Sequence, residues 1–349
     1  MKRILVLLCL IFVFLPTKVH CELDVLIDGE DEYNTYVENI TKGEMPFSAG
    51  DIWDKLCDTL FLEVKKSKKM LGEIIVLSAL SGIVSLADRL GTNTAHFAIL
   101  TLMSTIMIRL SGEIVGYAVS VTENICDFIT KLLPILLGLL AVCGKFTSQA
   151  VFSPVISAAV YVISLVVKKW ITPMIYFGTV MCIVGNITNK VQICRINQLL
   201  KSVTHWILIS MLTVFTGVLT LYGINAPAVD AVANRTARLA VGRLVPVVGG
   251  LLADTLETVV LGAKIIKNAV GSAGMICIIS IAAVPIIKIW LVCVMIRLSV
   301  AISEPVCDMR ISRMMNDFAQ MLSTVIAVLI TAMALFIIAI GIILASTGG

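Results

Sequence analysis

From residue 71 onward the chain alternates long apolar runs with short polar intervals. The runs fall at roughly 71–87, 95–119, 131–146, 150–167, 171–188, 205–223, 273–298 and 320–345. Most approach the ~20 residues that an α-helix needs to cross a bilayer. Apolar residues are continuous within each run instead of alternating every second position, so the pattern predicts helices and not barrel strands. The expected architecture is therefore all-α: a polytopic integral membrane protein with seven or eight transmembrane helices after an N-terminal signal peptide. The runs 131–146 and 150–167 are short, and a re-entrant pair or helical hairpin over 131–170 stands beside two full crossings.

The first 21 residues have the layout of a secretory signal: Lys2 and Arg3, an apolar core from Ile4 to Leu15, then Pro16 and a polar stretch. An uncleaved anchor is the alternative. Residues 22–70 form an acidic extracytoplasmic head. Within it Ile52, Trp53, Leu56, Leu60, Phe61 and Val64 recur at helical spacing, and Lys65, Lys66, Lys68 and Lys69 close the helix where headgroups would lie. The remaining divisions are a first helix bundle at 71–223, a semi-polar segment with a Pro-Gly break at 224–271, and C-terminal transmembrane helices at 272–349. Lys190, Arg195, Lys201, Arg310 and Arg313 suit loops on the inner side, whereas Lys168 and Lys169 break that rule.

Composition strengthens the membrane reading. The chain is 58% hydrophobic and 14% charged, with a mean hydropathy of +1.00. A soluble domain usually holds about a quarter charged residues. The formal net charge of +4 is spread singly or in pairs beside apolar runs, which excludes a nucleic-acid footprint. Ten cysteines, without a C-x-x-C pair, read as small buried hydrophobes.

The segment 224–271 is too polar for a comfortable crossing and too apolar for an ordinary loop. Asp230, Asn234, Arg235 and Arg238 share one arc of a helix, opposite Val229, Val232 and Leu239. A hinge follows at Pro246, Gly249 and Gly250, where proline removes a donor and glycines permit a bend. The next helix, about 251–270, carries Asp254, Glu257, Lys264 and Lys267 toward one side. A charge against lipid costs about 2.5–3.5 kcal/mol on insertion scales, so this stripe must meet protein, the headgroup layer or a water-filled path. Arg109 and Glu113, four residues apart inside an apolar run, form a candidate intramembrane ion pair.

The chemistry of enzymes is missing from the pattern. Histidine occurs only at His20, His96 and His205, and no metal-binding, nucleophile-elbow or phosphate-loop motif is present. The expectation is a protein without enzymatic activity, cofactor or metal.

Arg235, Arg238 and Gly242, then Pro246 to Gly250, then Asp254 and Glu257, then Lys267 to Gly271 form a run that resembles the stage III sporulation protein AE family, as does the stretch Glu304 to Arg310. That resemblance implies a subunit of the complex proposed to form a channel or feeding apparatus between mother cell and forespore. It implies residence in the mother-cell membrane around the forespore and a requirement for late forespore sigma factor activity. The implied partners are the other membrane proteins of the stage III complex, a YidC/Oxa-type insertase, the lipid bilayer and further copies of the chain. Arg243 stands where the family more often has a smaller polar residue. The residues alone leave a second reading open: an independent secondary transporter using Arg109, Glu113, Asp254 and Glu257 near a broken helix.

Overall fold

In a computed structural model of the protein, the described residues are 93–188, 191–244, 249–304 and 309–346, with isolated positions 72 and 76. Side chains are described over 98–185, 196–236 except 224 and 234, 258–304 and 309–346. The signal, the acidic head and the first expected crossing lie outside this set, apart from those two positions.

The described chain is all-helical: α1 (Asn93–Val142), α2 (Phe146–Val166), a π-helical turn (Val167–Ile171), α3 (Thr172–Thr188), α4 (Val191–Leu244), α5 (Gly249–Ser303) and α6 (Met309–Ala345). Five stretches are long and apolar enough to cross a membrane: Ala98–Val142, Phe146–Gly185, Ile196–Ala233, Thr258–Ser303 and Met309–Ala345. The expected seven or eight crossings thus become five among the described residues, for a geometric reason. The runs 95–119 and 131–146 are consecutive parts of α1, whose 50 residues rise about 75 Å at ~1.5 Å each. A hydrocarbon core is only ~30 Å thick, so one helix supplies two apolar windows.

The runs 150–167 and 171–188 are joined in the same way, through the π-turn that holds Lys168, Lys169 and Trp170. Pro173 lacks the N–H that an α-helix would aim at the carbonyl four residues back, and its ring crowds that carbonyl. Widening the helix just before it relieves the conflict. The Thr172 hydroxyl donates to Val167 O at 2.8 Å, adding to the bond that carbonyl accepts from the Thr172 backbone N–H.

A hairpin joins α1 to α2. Gly144 has φ of 73°, the left-handed conformation that lacks a penalty only for glycine. Lys145 N donates to Leu140 O at 3.1 Å and Gly144 N to Ala141 O at 2.8 Å, the paired bonds of a Schellman termination. The short runs 131–146 and 150–167 meet at this tight turn, the first as the end of α1 and the second largely within α2. At the other sharp break α4 stops at Leu244 and α5 starts at Gly249. Pro246 lies outside the described residues, while Gly249 and Gly250 open α5. Both α4 and α5 run without interruption through 223 and 271, the limits drawn from composition.

The last helix, α6, packs against α1, α3, α4 and α5. Its buried face includes Leu329, Leu335 and Phe336, each fully enclosed. In lipid the gain from such contacts is close van der Waals fit, which rewards small residues at crossings. A methyl group added to Gly274 would sit 2.5 Å from Leu132 Cδ2, and one added to Gly271 would sit 2.6 Å from Leu344 Cδ2. Cys126, Cys143, Cys182, Cys277 and Cys293 are buried and form no disulfide among the described residues.

Gly274→Leu should therefore overpack the α1–α5 crossing and destabilise the bundle by about 1–3 kcal/mol. Unfolding by a denaturing detergent, titrated into mild micelles, measures this; an unchanged midpoint would mean that the crossing is loose.

Candidate functional site

One end of the bundle gathers the α1–α2 turn, the last third of α4, the first third of α5 and the last turn of α6. Two charged side chains are fully enclosed there, Asp230 at 2% and Lys267 at 0% exposure. Each meets the end of a helix other than its own.

Asp230 corrects a local defect. The N-cap position of α2 is held by Lys145, whose ammonium cannot accept a hydrogen bond, and no side chain of that residue caps the helix. The first backbone N–H groups of a helix have no internal partner. Asp230, brought in by α4, supplies it: Thr147 N donates to Oδ1 at 2.8 Å and Ser148 N to Oδ2 at 3.0 Å. The Ser148 hydroxyl adds a bond of 2.6 Å to Oδ2. A carboxylate at a helix N-terminus also meets the positive end of the helix dipole.

Lys267 does the converse. Its Nζ donates to Ile343 O and Leu344 O, both at 3.1 Å, in the last turn of α6. A cation there satisfies carbonyls that lack helical donors and faces the negative end of the dipole. Lys264 is half-buried one turn earlier, and Lys145 is 6% exposed at the hairpin. Both stand, with Lys267, near the Cys143 thiol; burial pushes that thiol up, and the three ammonium groups partly oppose the shift.

Of the stripe read from the sequence, the structure therefore brings Lys264 and Lys267 into one cluster. Asp254 and Glu257 are on α5, but their side chains lie outside the described residues. Arg109 Nε donates to Glu113 Oε1 at 3.1 Å on α1, far along the bundle, with the two side chains 52% and 36% exposed. They do not join the capped end. Asp230 was absent from the stripe, although it lies on the arc with Asn234 and Arg235. The overlooked signal was a lysine directly before Phe146-Thr147-Ser148, where a helix ordinarily begins on Ser, Thr, Asp or Asn.

The family model described as stage III sporulation protein AE matches residues 32–347. The chain belongs to the stage III sporulation protein AE family. Among its relatives, stage III sporulation protein AE of Bacillus subtilis (strain 168) is 30% identical over 268 residues, covering 75% of this chain and 67% of that protein. No solved structure matches the chain. Family membership supports a role at stage III of sporulation, and the five apolar helices support a membrane location.

Asp230→Ala should remove three bonds from the α2 terminus and lower stability by about 1–2 kcal/mol. Asp230→Asn, which keeps an acceptor, should lose less. Thermal melts of both variants in one detergent test the order; equal melting points for all three proteins would show that the cap is dispensable.

Proposed function

We propose that the chain is a membrane-embedded subunit of the mother-cell-to-forespore transenvelope channel complex of endospore formation. Its bundle lies in the mother-cell membrane facing the forespore and assembles with the other stage III membrane proteins, after insertion aided by a YidC/Oxa-type insertase. Late forespore sigma factor activity depends on that assembly. The observation that carries this reading is the extent of the family match, which takes in all five apolar helices. The charged start of α5 is the surface we assign to assembly, because Asp254, Glu257 and Lys264 share a face with a lysine that already serves a structural end.

Glu257→Leu and Lys264→Leu are expected to reach the membrane at normal levels, yet to reduce late forespore gene expression and recovery of stage III membrane partners from sporulating cells. A late forespore reporter and affinity capture with mass spectrometry provide the two readouts. Normal reporter activity in both variants would remove the α5 stripe from the assembly, and solute transport by the purified chain alone would favour an independent transporter.

A further inference from the structure

A second polar feature runs along the α1–α2 hairpin, from Glu123 and Lys168 to Gly138 and Gln149 beside the capped end. The two helices meet where Cys126 Sγ of α1 lies 4.0 Å from Val160 O of α2. Between them is a groove of about 930 Å³. Ser153, Ser157 and Ser164 line it from α2, at spacings of four and seven residues that keep one face of the helix. Glu123, Asp127 and Thr130 line it from α1 at spacings of four and three. Lys168 closes one end in an ion pair with Glu123.

The depth of this groove in the bundle decides what fills it. Leu132 against Gly274, and Lys288 over the Tyr117 ring, fix which part of α5 stands level with it. On that level α5 turns Ile279 outward, 46% exposed, and beside the groove α2 exposes Val162. The perimeter is thus lipid-compatible where the groove is not. Acyl chains offer no partner to hydroxyls and carboxylates. A docked protein helix would strip water from Asp127, which is exposed and has only Lys131, outside the lining and one turn on, as the nearest cation of its helix. Water meets every one of these groups at no such cost, and at about 30 Å³ for each molecule's share of the liquid the groove has room for waters by the tens.

We propose that this groove is a water-filled crevice within the membrane-embedded bundle, and that it admits small hydrophilic cations in preference to anions. The lining carries two carboxylates, Glu123 and Asp127, against the one ammonium of Lys168, which pairs with Glu123 and also feels Asp127, so the excess charge of the lining is negative.

The test uses the full chain in open membrane sheets, with native cysteines replaced, and single cysteines introduced as Ser153→Cys, Ser157→Cys or Ser164→Cys. Val162→Cys and Ile279→Cys are the lipid-facing controls. Cationic and anionic membrane-impermeant thiosulfonates are applied, followed by a lipid-soluble maleimide to count the remaining thiols. The three groove positions should react with the aqueous reagents while the controls react only with the maleimide. At Ser157→Cys the cationic reagent should react several-fold faster, and Asp127→Asn should erase that difference while leaving the site reactive. Groove thiols that react only with the maleimide, or that are protected and cross-link to another chain, would overturn the crevice. Equal rates for the two reagents would overturn the cation preference.

Discussion

A helix that ends inside an apolar bundle leaves backbone donors or carbonyls that neither lipid nor a hydrocarbon side chain can satisfy. At one end of this protein that constraint is met by two buried charges of opposite sign. Asp230 of α4 accepts from the first turn of α2, and Lys267 of α5 donates to the last turn of α6. Because α4 and α5 flank the same break in the chain, one hairpin carries both caps. Two of the charges that make 224–271 semi-polar are thus placed to close other helices, which apolar residues could not do.

The remaining order of the bundle depends on α6 as a central post. Its enclosed face is apolar along most of its length, and glycines on α5 let its last turn and the α1 wall approach closely. Lys267 and Gly271 lie one turn apart on α5, the first bonded to Leu344 O and the second packed on the Leu344 side chain. Capping and packing therefore act on the same turn of α6. The α1–α2 hairpin is treated differently. Its inner face joins the core through residues such as Ile125 and Phe152, while its outer face keeps a polar groove at a level where α5 exposes Ile279.

Much of this architecture could be read along the chain. Continuous apolar runs identified helices and lipid as solvent, and the Pro246 to Gly250 stretch marked where α4 gives way to α5. The spacing of Arg109 and Glu113 suited the contact they make. The number of crossings was not legible, because a window near twenty residues cannot tell a loop from a polar waist within one helix. Residues 120–130 of α1 are such a waist, and Lys168 to Trp170 look like a turn at an interface but form a π-bulge ahead of Pro173. The role of Asp230 was hidden for another reason: its partner is 82 residues away, and local periodicity carries no information on such a pairing.

Hydrogen exchange at the amides of Thr147 and Ser148 tests the capping account most directly, comparing the unmodified chain with Asp230→Leu in the same membrane mimetic. The account predicts slow exchange at both amides in the unmodified chain and fast exchange in the variant, with the middle of α1 protected equally in both. Identical rates at Thr147 and Ser148 in the two proteins would contradict it, since the first turn of α2 would then owe nothing to the carboxylate on α4.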